Sequence, residues 1–409
     1  MKSYQSLCGR STERENRGLQ LKNFNIKDGR DVLLDIVGAM DFDFRDQGIS
    51  PRRLPNWTRA QCPELMKVML RMPSGVRIVF DTDATEIHLT AMTTTMVVGQ
   101  APARSPATAD IIKPVVCNLE FASLLLDSES DKGNVILLDS MDRTKYEFQA
   151  GTESRFEFTG LPEGGKTCEM WLPQNAYIEL RQLAVNDGAT ITRAAPDKRP
   201  KWIHYGSSIS HCMEAKQPGL IWPAVAARSS GASLQNLGLA GECHLDPFIA
   251  RVIRDSDSDL ISLKVGINIV NRDSMRERVF VPALHGFLDT IRERHFATPI
   301  VLISPIFCPS VEDNPGPTFP GQDGKFRTVP GHEEIRGDCL TLKRMRTLME
   351  TVVEKRGDAN LTYLDGRRLF DKMDAADLPD DLHPSAQGYI RMGERFADAY
   401  LKKAVASIM

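Results

Sequence analysis

The chain has no marked excess of either charge, no paired cysteines and no long apolar run. Each absence removes a class of function. Lysine and arginine number 51 against 54 aspartates and glutamates, a formal net charge of −3. That balance gives no electrostatic footprint for nucleic acid or an anionic membrane. The eight cysteines (Cys8, Cys62, Cys117, Cys168, Cys212, Cys243, Cys308 and Cys339) are scattered, with no Cys-x-x-Cys pair. The common zinc spacings are therefore excluded, no disulfide framework is suggested, and reduced, buried thiols are expected. No segment approaches the ~20 apolar residues of a membrane span. The polar stretch from Met1 to Gly18 lacks the apolar centre of a signal peptide, so the chain as written reads as cytoplasmic.

What is present is ordinary for a globular protein: 42% hydrophobic and 26% charged residues. A length of 409 residues exceeds one ordinary core, so more than one domain is expected. From about Val32 to Thr192 the apolar residues recur with period two, as in Val76-Arg77-Ile78-Val79-Phe80 and Thr85 to Ala91. Similar short runs are Val135 to Leu138, Tyr146 to Phe148, Phe156 to Phe158, Cys168 to Leu172 and Tyr177 to Val185. Turn signals such as Asp131 to Asn134 and Pro162 to Gly165 separate them. Residues 1–195 are expected to form an antiparallel β-sandwich or jelly roll, and the charged, proline-containing residues 196–200 a linker.

Residues 201–409 change rhythm. Lys201 to Tyr205, Leu234 to Leu237, Leu260 to Val265, Pro299 to Ser304 and Leu361 to Leu364 read as buried strands. Ile221 to Arg228, Pro247 to Arg254, Met275 to His295, Glu333 to Lys355 and Ala386 to Lys402 read as helices. Alternation of this kind implies an α/β domain, a five-stranded parallel sheet covered on both faces. Ligands of such sheets lie beyond the carboxyl ends of the strands. In the helix after Glu333, Lys343, Arg344 and Arg346 with Glu350 and Glu354 read as a solvated face.

Four segments collect at those strand ends. Gly206-Ser207-Ser208-Ile209-Ser210 follows the first strand, where its serines either cap a helix or hold a nucleophile. Leu237-Gly238-Leu239-Ala240-Gly241 follows the second, and Gly266-Ile267-Asn268 the third. Asp380-Asp381-Leu382-His383 precedes the last helix, its aspartate spaced to orient the histidine ring. The other seven histidines lack this arrangement and read as structural or exposed. His204 and His211 flank the site and are expected to shape it. The first strand-to-helix turn has neither Gly-x-Gly-x-x-Gly nor a phosphate-loop lysine, which counts against a nucleotide binder.

These four blocks, in this order, resemble the SGNH, or GDSL, hydrolase superfamily over about Trp202 to Leu401. The resemblance implies a flavodoxin-like three-layer domain and a serine hydrolase acting on carboxylic esters. It makes Ser208 the nucleophile, His383 the general base and Asp380 its orienter. Ser208, Gly241 and Asn268 would form the oxyanion hole. Two departures stand out. Ser207 replaces the usual aspartate before the nucleophile, and Asn268 is followed by Ile269. The preceding β-rich region resembles two-domain GDSL esterases and acyltransferases, some of which act on acetylated carbohydrates and others on acylated natural products.

The expected activity is hydrolysis of a carboxylic ester, with a short acyl group on a carbohydrate or small natural product, and no metal or organic cofactor. Alternatives are acyl transfer by the same residues, or a carbohydrate-binding protein with an inactive SGNH half. Ile306 to His332, rich in proline and glycine, is expected to be either a lid or a meandering surface loop.

Overall fold

The structure, a computed structural model, describes residues 21–29, 33–98, 110–112, 120–121, 135–138, 146–148, 152–321, 323–329, 334, 337 and 339–409. Cys8, Cys117, Pro330, His332, Glu333 and the turn signal at 131–134 lie outside them.

Two β-sheets build the N-terminal half. In the first, hydrogen-bonded neighbours run Tyr146–Phe148, Val135–Leu138, Glu86–Val98, Ala176–Asn186, Ile49–Arg52 and Asp41–Phe44. Leu21–Asn25 adds to Ala176–Asn186, and Thr152–Thr159 adds to Glu86–Val98. The second sheet runs Ile191–Thr192, Arg77–Thr82, Lys166–Trp171, Asp110–Ile112 and Glu120–Phe121, with Asp35–Val37 beside Arg77–Thr82. Pairing is antiparallel except between Glu86–Val98 and Val135–Leu138, which is parallel.

The period-two pattern places Ile78, Phe80 and Met170 of one sheet in a common core with Ile87, Leu89 and Phe158 of the other. Ala176–Asn186 shows how closely sequence and register agree. Its core residues Ile178 and Leu180 are even-numbered, whereas Leu183 and Val185 are odd. A register shift between Leu180 and Gln182 absorbs the extra residue, so both pairs face inward.

In the C-terminal half all five expected strands form one parallel sheet. Its order is Ser233–Gly238, Lys201–Gly206, Leu260–Lys264, Ile300–Ile303 and Leu361–Leu364. Helices Trp222–Ser230, Pro247–Arg254, Glu277–Arg292, Leu342–Arg356 and Ala386–Phe396 surround it. The fourth begins later than expected, at Leu342, because the Thr341 side chain accepts the Arg344 N–H and caps it there. The last continues through a π-turn, Ala397–Leu401, into Lys402–Ala406. Two short helices escaped the sequence reading, Ser208–His211 and Ile267–Arg272, and both sit at strand ends. The solvated-face expectation fails at Arg346, which is buried, donates to the Pro305 and Ile306 carbonyls and pairs with Glu312. Among the described residues, no helix is long and apolar enough to cross a membrane.

Strand Ser233–Gly238 lies at one edge of the parallel sheet, so the carbonyls of Leu234, Asn236 and Gly238 project away from it. The N-terminal half satisfies all three. Arg77 Nη1 donates to Leu234 O (2.9 Å), and Arg53 Nη1 donates to Asn236 O (3.3 Å) and Gly238 O (2.6 Å). Arg53 Nη2 reaches back to Met69 O (2.7 Å), and Gln235 Nε2 donates to Gly38 O (2.8 Å). Both guanidinium groups are fully buried. Burial pushes Arg53 down to about 9, so it still carries its charge at neutral pH. Arg77 lies over the Trp171 ring and beside Glu169, which Arg199 also contacts.

Arg53→Met should therefore remove three buried hydrogen bonds and leave carbonyls unsatisfied. The expected loss is about 2–5 kcal/mol of folding free energy, read as a lower urea midpoint. Arg53→Lys should fall between, since one ammonium cannot replace a planar fork spanning several acceptors. An unchanged midpoint in Arg53→Met would contradict the role given to this edge.

Candidate active site

The turn after strand Lys201–Gly206 gives its three serines three different tasks. Ser207 is the helix cap, its side chain accepting the Ile209 N–H at 3.3 Å. Ser210 is buried, and its hydroxyl bonds His204 Nε2 at 2.8 Å. His204 Nδ1 bonds Ser262 Oγ at 2.7 Å, and that oxygen also accepts the Trp202 indole N–H. Burial, helped by the Lys264 ammonium, pushes His204 well below its usual value and keeps the ring neutral. Ser208 alone of the three is partly exposed, and its Oγ lies 2.9 Å from His383 Nε2.

Close backbone approach sets this turn. A Cβ on Gly206 would come within 2.3 Å of Ser210 Oγ, and one on Gly238 within 2.4 Å of the Ser210 carbonyl carbon. Only glycine lets the short helix lie this near the two strand ends. Its exit is tied to the β half. Ser74 Oγ donates to His211 O (2.7 Å), His211 Nε2 donates to Gln174 O (2.8 Å), and Gln174 Nε2 donates to Ala215 O (2.8 Å).

His383 and Asp380 arrive together on the loop before the last helix. Asp380 Oδ2 lies 2.7 Å from His383 Nδ1, while Oδ1 accepts the backbone N–H groups of Leu382 and His383. Burial pushes the Asp380 carboxyl up, but the His383 ring and these N–H bonds outweigh it and hold it below its ordinary value. Asp381 adopts a positive φ of 67° and points to Lys325, 3.3 Å away. Asp380 is thus the carboxylate on the ring, and Asp381 is not.

The residues expected to line an oxyanion hole occupy the neighbouring loops. In register, Gly206 is flanked by Gly238 on one side and Lys264 on the other. Gly241 follows the first of these strands with φ 72°, and Asn268 lies in the helix after the second. The two are joined through Cys243, whose N–H donates to Asn268 Oδ1 at 3.1 Å and so fixes which end of the amide remains for a ligand. Ser208 is the first residue of its helix, where the N–H has no intrahelical acceptor. Among the described residues, neither the Ser208 N–H nor the Gly241 N–H has a hydrogen-bond acceptor.

The 306–332 segment is not structureless where it is described. Strands Thr318–Pro320 and Phe326–Thr328 pair antiparallel. Phe326 donates its N–H to Asp380 O (2.8 Å), and its ring meets His383 edge-on at 5.3 Å. The hairpin therefore braces the histidine loop. Glu214 is the residue the sequence reading missed. Its Oε1 lies 3.9 Å from His383 Nδ1, and Oε2 accepts from Tyr389 Oη at 2.8 Å. Lying six residues after Ser208 in an irregular loop, it carries no periodic signal. Glu214, Asp380 and His383 also form a group whose ligand atoms lie within 4.8 Å of one another, close enough to hold a metal ion. Within it, Asp380 is bonded to His383 Nδ1 and Glu214 to Tyr389 Oη.

No curated protein matches the chain by sequence. Among solved structures, the salicylyl-acyltransferase SsfX3 from a tetracycline biosynthetic pathway is 28% identical with TM-score 0.72, covering 95% of this chain and 98% of that one. A putative GDSL-like lipase from Bacteroides ovatus is 19% identical with TM-score 0.65, over 95% and 98% of the two chains. A family two carbohydrate esterase from Clostridium thermocellum, solved with cellohexaose, is 15% identical with TM-score 0.54, over 90% and 99%. These last two share the fold. Residues 199–309 match the GDSL-like Lipase/Acylhydrolase family, and together these likenesses support an SGNH-type, GDSL-like chain with an additional N-terminal β domain.

Proposed function

We propose that the protein is a serine esterase that cleaves a carboxylic ester through an acyl-enzyme on Ser208. The observation that carries this reading is the unbroken line Ser208 Oγ–His383 Nε2, His383 Nδ1–Asp380 Oδ2, at 2.9 and 2.7 Å. A neutral hydroxyl is a weak nucleophile, so His383 takes its proton as Oγ attacks the ester carbonyl. Asp380, held ionised, keeps Nδ1 protonated and stabilises the imidazolium. Charge developing on the carbonyl oxygen falls to the Ser208 and Gly241 N–H groups and the Asn268 amide. Each such donor is typically worth about 100- to 1000-fold in turnover. His383 then returns the proton to the leaving alkoxide, and water, activated by the same histidine, clears the acyl group.

We assign residues 1–195 to the β domain, 196–200 to the linker and 201–409 to the catalytic domain. The substrate side is shared between them. Leu65, Met69, Met72 and Tyr177 of the β half pack with Met213 and Ala240. Leu65 also lies 3.4 Å from where a Cβ on Gly241 would stand. This apolar wall beside the nucleophile turn supports selection of a small acyl group or compact alcohol, on a carbohydrate or small natural product. A second reading, transfer to an alcohol acceptor instead of water, is favoured by the likeness to the salicylyl-acyltransferase. The buried thiols at Cys62, Cys212, Cys243 and Cys308 support a cytoplasmic setting.

Turnover of p-nitrophenyl esters from acetate to decanoate, and of acetylated sugars, tests the activity. Ser208→Ala should lower turnover by at least about 1000-fold, with an unchanged melting temperature. Retained activity in that variant would reject the assignment. Asp380→Asn should lower kcat by at least about 100-fold, whereas Asp381→Asn, whose partner is an exposed lysine, should stay within about 3-fold. Equal losses would remove Asp380 from its proposed place.

A further inference from the structure

We propose that Glu214 is a second carboxylate serving His383, a positioning residue that shares with Asp380 the stabilisation of the imidazolium. The proposal rests on the serine-esterase reading above. Two carboxylates approach the same ring nitrogen: Asp380 Oδ2 at 2.7 Å, in hydrogen-bond contact, and Glu214 Oε1 at 3.9 Å, in Coulombic contact only. They come from opposite directions in the chain. Asp380 belongs to the histidine's own loop, and Glu214 to the loop leaving the nucleophile helix.

Glu214 is held where it acts. Tyr389, one turn into the last helix and fully buried, donates its hydroxyl to Glu214 Oε2 at 2.8 Å. Burial first, and then the adjacent negative charge of Glu214, push the Tyr389 phenol well above its usual value, so it remains a proton donor. The Glu214 side chain is only 20% exposed, which limits screening by water. Both of its oxygens are thus directed inward, one to a fixed donor and one toward the ring.

The groups around His383 leave Glu214 a distinct task. Asp380 has Oδ1 committed to two backbone N–H groups and Oδ2 to the ring. Phe326, on the hairpin, is uncharged, and the Cys308 and Cys212 thiols are pushed up by burial and stay neutral. Lys325 is farther out, paired with Asp381. When the Ser208 proton moves to Nε2 and Nδ1 keeps its own, one positive charge appears on the ring. Asp380 and Glu214 are the two anions that meet it. With both present, loss of either is partly compensated by the other.

The test is the pH dependence of p-nitrophenyl acetate turnover in the full chain, with kcat and KM measured separately. A nearby negative charge raises the pKa of a histidine, so neutralising Glu214 must lower it. Glu214→Gln should shift the acid limb of kcat/KM to lower pH by about one unit and reduce kcat several-fold, with KM unchanged. Glu214→Asp should restore part of the shift. Tyr389→Phe, which frees the carboxylate without removing its charge, should move the limb in the same direction by less, and it serves if Glu214→Gln does not fold. Asp380→Asn should retain turnover that disappears in Asp380→Asn/Glu214→Gln. Superimposable pH profiles for the wild type and the Glu214 and Tyr389 variants would overturn the proposal, as would a double variant no slower than Asp380→Asn alone. If instead Ser208→Ala and His383→Ala remain active, it is the esterase reading that fails.

Discussion

The carbonyl edge of strand Ser233–Gly238 is the constraint on which the rest of the molecule depends. The edge of a parallel sheet carries unpaired backbone N–H and C=O groups, and an edge hidden from water must find partners for them within the protein. Here two buried arginines, Arg53 and Arg77, leave the β half and fill that row at Leu234, Asn236 and Gly238. Neither half is complete alone. Apart, the sheet edge would lose these donors and the two arginines these acceptors. The same contact ends at Gly238, three residues before Gly241, so it also holds the loop beside the nucleophile. Stability and site geometry are therefore set by one set of bonds.

From that edge the order spreads into the nucleophile turn. Asn236 Nδ2 donates to Ser74 Oγ and to Ser210 O, and Ser74 in turn donates to His211 O. Ser207 caps, Ser210 is held by the neutral His204, and Ser208 is left facing His383. The histidine loop is braced from the other side by Phe326 and its hairpin. The Ser208 hydroxyl is thus placed by the bonds of its neighbours in the turn, and the His383 imidazole by Asp380 Oδ2 and the Phe326 ring. In the reading proposed above, such preorganisation would let a modest hydrogen bond serve as a proton path.

Much of this was legible in the residues. The five parallel strands are short apolar runs bounded by turn chemistry, and their alternation with helices dictates the sheet. The β half was legible in its period of two, whereas the phase change within Ala176–Asn186 that a register shift absorbs emerged only in the structure. Ser208, Asp380 and His383 could be named as candidates because the four blocks resemble those of SGNH hydrolases, and the fold brings the three side chains together. What could not be read comes from contacts between distant segments. Arg53 and Arg77 look like surface cations until the edge they cover is known. Arg346 looked solvated, yet it clasps Pro305 and Ile306. Glu214 has no motif, since its relation to His383 and Tyr389 exists only after the last helix docks. Proline and glycine in 306–332 suggested irregularity, whereas two short strands pair within it.

The central claim is that Ser208 carries the acyl group, and covalent trapping tests it most directly. Wild-type protein treated with a fluorophosphonate and digested for peptide mass spectrometry should carry one adduct, on Ser208. The same treatment of His383→Ala should label far more slowly, because the hydroxyl loses its base. An adduct on Ser207 or Ser210, or undiminished ester turnover with Ser208 unmodified, would contradict the account.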